Sequence, residues 1–264
     1  MKALMCVVCV VASIALSSAS VAQTTTQVYG GNGNSGFGGV IGTGSLSITN
    51  NAAGNLAFTL TKGSGNFNDA IVLYIDSITG GFGDTLSFND QADPLRQAIS
   101  GASGGTTGID ANTRSILTFN AGFTANYAIA LDNNFAGLWQ LNSGGNNSLT
   151  FVTAANLTPT GTATSPTYNW NINVTDIGLT ANSGQSFAFV GTYLNAGNSF
   201  RSNEAIGFSI AGGNPGNGGI GSYPNTVATS QATFQTVPEP STVAMALAGL
   251  ACSGFSMWRR RTRA

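Results

Sequence analysis

Tyr168-Asn169-Trp170-Asn171-Ile172-Asn173-Val174 is the stretch that decides the fold. Large apolar side chains alternate with three asparagines. A strand turns successive side chains to opposite faces, so Tyr, Trp, Ile and Val share one face and the amides the other. This predicts an antiparallel strand with one wet face. Ser45–Thr49 and Leu56–Leu60 alternate in the same way, and the six residues between them, Asn50–Asn55, suit a hairpin loop. Ala70–Ile75 (AIVLYI) is continuously apolar instead, as expected of a central strand buried on both faces. Further strands are expected at Ile116–Phe119, Tyr127–Leu131, Gly137–Leu141, Leu149–Thr153, Tyr168–Val174, Phe187–Leu194, Ala205–Ile210 and Ala228–Phe234. Roughly eleven strands at spacings near ten residues predict an all-β fold, a single antiparallel β-sandwich.

Composition agrees. Charged residues make up 7% of the 264, and Gly occurs 36 times, whereas an ordinary soluble domain is about 25% charged. Asn, Thr, Ser and Gly supply the polarity, and the helix formers Lys and Glu are scarce. The body, Gln23–Val237, carries a net charge of −5. One short helix is expected: Asp93 caps it, Pro94 fits its first turn, Leu95–Ser100 forms it and Gly101 ends it. Asp93 and Arg96 then lie close, at i,i+3. Arg201 and Glu204, within Arg201-Ser202-Asn203-Glu204, suggest an isolated structural ion pair ahead of a strand. Gly30–Gly39 (GGNGNSGFGG) and Gly212–Gly221 (GGNPGNGGIG) read as flexible loops.

The two ends read as addresses. Residues 1–22 form a secretory signal peptide: Lys2 opens it, Ala3–Leu16 is apolar, and Ser20-Val21-Ala22 offers small residues for cleavage before Gln23. The partners implied are the Sec machinery and a signal peptidase. At the other end, residues 238–264 begin with Pro238-Glu239-Pro240, continue into the apolar run Val243–Trp258 and close on Arg259, Arg260, Arg261 and Arg263. The run has 16 residues, against the ~20 of a stable spanning helix. The arginines are expected to stay cytoplasmic, with Trp258 at the interface. The prolines keep the junction extended and exposed to a processing enzyme.

This tail resembles the PEP-CTERM sorting signal over Val237–Arg263. The resemblance rests on Val237–Thr242, the Gly249-Leu250 pair and the terminal arginines. It implies export by a Gram-negative bacterium that makes exopolysaccharide. It also implies a transient stay in the inner membrane and processing near Pro238–Pro240 by an exosortase, a membrane-embedded cysteine transpeptidase. The three motif residues are then substrate, not catalyst. The plain alternative is a C-terminal membrane anchor. In the body, Asp69–Gly81 together with Tyr127–Leu131 resembles family-9-like and DOMON-type carbohydrate-binding sandwiches. No site residue carries over from that resemblance.

The chemistry left to the body is narrow. There is no histidine, which excludes Ser-His-Asp, Cys-His and His-zinc sites. The cysteines lie only in the terminal segments, at Cys6, Cys9 and Cys252, so the body has neither disulfide nor thiol. A net charge of −1 for the whole chain gives no electrostatic reason to bind nucleic acid. Carboxylates remain: Asp69, Asp76, Asp84, Asp90, Asp93, Asp110, Asp132, Asp176 and Glu204. Two of them facing each other could make a glycosidase. Most are expected as turn and cap residues. Calcium is the one cofactor for which ligands are on offer, either Asn66, Asn68 and Asp69, or Asp84, Asn89, Asp90 and Asp93. Tyr127, Trp139, Tyr168, Trp170 and Tyr193 are the aromatic candidates for stacking on sugars. The reading is an exported, non-enzymatic surface or matrix protein associated with exopolysaccharide, with a carbohydrate-binding module as first alternative and a glycosidase as second.

Overall fold

Alternating strands pair where the sequence pattern places them. The computed structural model describes residues 24–51, 53–102, 115–144, 147–195, 200–207, 225–226 and 232–236. The signal peptide and the tail beyond Thr236 therefore lie outside the described residues, as do Asp110 and the loop Gly212–Gly221. Strands β1 (Thr25–Gly30), β2 (Ser45–Asn50), β3 (Asn55–Thr61) and β9 (Thr167–Asn173) form a four-stranded antiparallel sheet in the order β1-β2-β3-β9. The expected hairpin is present, with Ile48 opposite Phe58. In β9, Tyr168, Trp170 and Ile172 are buried while Asn169 and Asn173 are exposed. Trp170 stacks on Phe58 across the pair, with ring centroids 5.4 Å apart and planes 2° apart.

The second sheet has seven strands. Its path is β11-β10-β4-β6-β7-β8, with β13 also pairing with β10. The ranges are β4 Ala70–Asp76, β6 Tyr127–Leu131, β7 Ala136–Gln140, β8 Thr150–Ala154, β10 Ser186–Asn195, β11 Phe200–Ile206 and β13 Ala232–Gln235. The two sheets pack face to face over one apolar core. Leu46, Ile48, Phe58 and Trp170 come from the small sheet, and Ile71, Leu73, Ile75 and Phe189 from the large one. The other face of the large sheet is covered by the helix α1 (Pro94–Ser100) and its flanking loops. Strand β4 therefore sits between two cores: Ile71, Leu73 and Ile75 enter the first, Ala70, Val72 and Tyr74 the second. The Tyr74 hydroxyl donates to the Ile99 carbonyl of α1 at 2.7 Å.

The helix forms as its caps predict. The Asp93 side chain accepts from the Arg96 N–H at 2.9 Å, and Gly101 ends the helix in the left-handed region at φ 64°. A Cβ at residue 101 would also lie 2.2 Å from the Ser115 carbonyl oxygen, so glycine is required there twice over.

Three expectations differ. Ile116–Phe119 supplies only β5 (Leu117–Thr118), which pairs in parallel with β12 (Asn225–Thr226). Strand β1 was missed because its Thr-rich sequence carries little apolar signal, and its exposed face includes Val28. Strand β11 begins at Phe200 and contains Arg201–Glu204, and Gly207 at φ 79° follows it. Three residues apart on a strand, Arg201 and Glu204 face opposite sides, and the expected pair does not form. Arg201 donates instead to the Thr192 and Ser115 hydroxyls, at 2.6 and 3.2 Å.

Trp170 is 3% exposed and belongs to the core. Trp170→Ala is expected to cost about 3–5 kcal/mol of stability, read as a lower urea midpoint at unchanged m-value. An unchanged midpoint would show that the stacking on Phe58 contributes nothing.

Candidate functional site

The body ends where the tail signal begins. Strand β13 pairs with β10 from Ala232↔Phe189 to Gln235↔Ser186. Phe234 is fully buried against Phe187, with ring centroids 5.4 Å apart. One residue further on, the Thr236 N–H and hydroxyl both donate to the Gln185 carbonyl, at 2.9 and 2.6 Å. Thr236 is thus fixed, and only Val237 separates it from Pro238. A family model described as the PEP-CTERM protein-sorting motif matches residues 236–261. The chain carries a PEP-CTERM sorting signal. That signal makes it an exported protein, processed by an exosortase and sorted through the membrane to the cell surface. The match takes in Pro238, Glu239, Pro240, the run Val243–Trp258 and Arg259–Arg261, and leaves out Arg263. No curated protein matches the chain. Among the described residues, no helix is long and apolar enough to cross a membrane; the expected spanning run lies outside them.

Beside this exit lies an open cleft of about 760 Å³, lined among others by Asp76, Ser77, Thr124, Gln185, Ser186 and Thr233. Its volume falls in the ~300–1,000 Å³ range of ligand sites. The walls come from the end of β4 and the loop after it, the Gly122–Thr124 turn, the start of β10, and β13. Among the described lining residues Asp76 is the one carboxylate, and it accepts from the Thr124 N–H at 3.0 Å. Burial pushes its carboxyl above the ordinary range, partly opposed by that hydrogen bond.

At the opposite end of β4 is a smaller pocket of about 160 Å³, lined by Asn68, Asp69, Pro94, Leu95, Asp132 and Asn195 among others. Asp69 accepts from the Asn195 amide at 2.8 Å. Its carboxyl is raised by burial, lowered by that bond and raised again by the charge on Glu204. Asp132 accepts from the Asn134 and Phe135 N–H groups at 2.7 and 2.9 Å. Two carboxylates thus share a pocket, but its volume is below what ligand sites typically enclose.

Three of the calcium candidates, Asp84, Asp90 and Asp93, accept hydrogen bonds from the chain's own donors. Asp84 accepts from the Leu86 and Ser87 N–H groups at 3.0 and 3.2 Å. Asp90, fully buried, accepts from the Ala92 N–H, the Leu149 N–H and Arg96 Nη1. Asp93 caps α1 and lies 3.0 Å from Arg96 Nε, so Arg96 bridges Asp90 and Asp93. Among the described residues no three acidic or Cys side chains gather as a cation site. The aromatic candidates are also accounted for. Tyr127, Trp139, Tyr168, Trp170 and Tyr193 are all under 9% exposed, so none offers an open face to a sugar. Among the described residues the exposed rings are Phe135 and Phe151, at 41% and 44%. Periodicity could have flagged Phe151, since Thr150–Ala154 has apolar residues at both parities.

The most unusual polar feature was not anticipated. Glu204 is fully buried, and its carboxylate accepts four backbone N–H groups: Phe37 and Gly39 at 2.6 and 3.2 Å, Ile41 and Gly42 at 3.0 and 3.2 Å. The Gly-rich segment expected to be loose is therefore wrapped around a charge. Gly42 has no alternative there, because a Cβ would lie 2.0 Å from the Asn34 carbonyl oxygen.

The raised carboxyls make a pH prediction. When an acid's pKa is higher in the folded state, the native protein binds more protons between the two values. Stability then falls as pH rises through that window, and the loss persists above it. Asp76→Asn keeps an acceptor for the Thr124 N–H and removes the ionisation. The variant is expected to melt higher than the parent at pH 7, with the gain vanishing below the ordinary carboxyl value of 3.8. Equal melting at pH 7 would refute it.

Proposed function

We propose that the body is a non-enzymatic module of the cell surface or extracellular matrix of a Gram-negative bacterium, delivered there by its tail and associated with exopolysaccharide. The observation that carries this reading is the fixed Thr236. The fold runs to within one residue of the sorting motif, so processing near Pro238–Pro240 releases the sandwich whole, with its last strand paired. Two features support a binding or structural role over catalysis. The chain has no histidine, and among the described residues the cleft of ligand size holds a single carboxylate, whereas glycoside hydrolysis ordinarily takes two. Calcium has no part in this reading.

The polar cleft favours a second reading, a carbohydrate-binding module. Asp76, Ser77, Thr124, Gln185 and Ser186 offer the hydroxyl, amide and carboxylate groups that hold sugar hydroxyls. The test is retention of the purified protein on the producer's own polysaccharide. On the binding-module reading, Gln185→Ala combined with Asp76→Asn weakens retention about tenfold, the effect of one or two lost hydrogen bonds. Retention unchanged by these substitutions leaves the structural reading. Release of reducing sugar, abolished by Asp69→Asn with Asp132→Asn, would overturn both in favour of the glycosidase.

A further inference from the structure

Two outer sheet edges in this fold are met by other parts of the chain. The outer edge of β9 is met by the segment after β8: Asn171 N–H donates to the Ala155 carbonyl at 2.8 Å, and Asn169 and Thr158 exchange two bonds of 2.7 and 2.8 Å. The edge of β11 is met by the chain leaving β1, where Asn32 N–H donates to the Ala205 carbonyl at 2.9 Å. Strand β8 is different. It pairs with β7 alone, and its other edge meets no strand among the described residues. Thr150, Phe151, Val152 and Ala154 are all exposed, so the strand is open on both faces as well as along its edge.

Proteins ordinarily protect such an edge with lysine, other charges, proline or a β-bulge, and of these β8 carries only the bulge. Here no charged residue occurs between Asp132 and Asp176, and no proline between Asp132 and Thr158. The register shift opposite Leu138 and Trp139 places Val152 as an extra residue, re-aimed outward. Beside it, Phe151 packs edge-on against Trp139 at 5.5 Å, and Phe135 lies 6.5 Å from Phe151. Among the described residues, three of the five exposed large hydrophobics, Phe135, Phe151 and Val152, fall on this one edge.

We propose that β8 is the contact through which two copies of this chain associate, pairing antiparallel about a two-fold axis at Val152. An unpaired edge offers donors and acceptors at strand spacing, and another strand matches that row. The row is neutral, so it meets its own copy without like-charge repulsion, and a two-fold contact is self-complementary. An axis perpendicular to the sheet keeps both copies' Phe135, Trp139 and Phe151 on the same face and joins two large sheets into one. Five paired residues span only about 17 Å, which places the contact at the small end of specific interfaces, below about 1,200 Å². Association is therefore concentration-dependent, and it is favoured where the sorting signal gathers copies at a surface.

The test uses the full chain in its own host, with Cys6, Cys9 and Cys252 replaced by serine. Val152→Cys is introduced, and Ser183→Cys, in the exposed turn before β10, serves as control. Opposed residues of an antiparallel pair stand about 4.5–5.5 Å apart at Cα, within disulfide range. A mild oxidant such as diamide is expected to give a disulfide-linked dimer with Val152→Cys and monomer with Ser183→Cys. In parallel, the detergent-solubilised full chain is sedimented with and without Val152→Lys. The substitution is expected to raise the concentration needed for dimer about tenfold or more. No dimer at residue 152, equal dimer at residue 183, dimer indifferent to Val152→Lys, or an open series beyond dimer would each overturn the proposal.

Discussion

Replacing Pro238-Glu239-Pro240 by three alanines is expected to abolish processing while leaving export and folding intact. Folding is expected to be spared because Thr236, the last described residue, is held by the Gln185 carbonyl, and the substituted residues lie beyond it. Full-length chain should then accumulate in the membrane fraction with its arginines still attached, read as intact mass after fractionation. The reason is the weakness of the anchor. Val243–Trp258 offers 16 residues, several of them Ala, Gly or Ser, where ~20 make a stable span. Arg259, Arg260, Arg261 and Arg263 resist crossing at about 2.5 kcal/mol or more each. The run therefore holds the chain long enough to be processed rather than permanently. Removing Arg259–Arg263 should let the chain pass through unprocessed. An unchanged mature mass in the alanine variant would replace sorting by a plain C-terminal anchor.

Glu204→Ala is expected to be the most damaging single change in the body. The side chain fills a fully buried position, and its carboxylate satisfies four backbone N–H groups of the Phe37–Gly42 segment. Each buried donor left without an acceptor costs about 1–3 kcal/mol. Even partial hydration of the emptied site leaves a loss on the order of 5 kcal/mol, against a total stability of about 5–15 kcal/mol. For a body of this size that lowers the melting temperature by roughly 10 °C or more. Glu204→Gln is the informative companion: it keeps the volume but turns an amide donor toward N–H donors, so it should destabilise too, by less. A melting temperature within 2 °C of the parent in both variants, against that ~10 °C expectation, would show that the loop holds itself.

Much of the fold was legible where the signal is local. The β2–β3 hairpin, the doubly buried β4 and the one-sided β9 follow from side-chain period alone. The helix followed from Asp93, Pro94 and Gly101, each acting within a few residues of itself. The sorting tail was legible for a similar reason: motif, apolar run and arginines are consecutive. The site was much less so. The tether of Thr236 to Gln185 spans 51 residues and the Glu204 contacts to the Gly-rich loop span about 165; neither leaves a trace in nearby residues. Trp170 could be placed on a buried face by its rhythm. Trp139 could not, since Leu138 and Leu141 flank it at both parities.

The amino-acid sequence by itself thus determined the all-β class, the central strand, the capped helix and the address at the C-terminus, because each depends on neighbours along the chain. Tertiary structure alone decided that Arg201 and Glu204 part to opposite faces, that a glycine-rich loop closes around a buried carboxylate, and that a cleft opens beside the tail. It alone also left the outer edge of β8 unpaired among the described residues. Those outcomes depend on which strands come together, and strand pairing is a property of the assembled sheets rather than of any one segment.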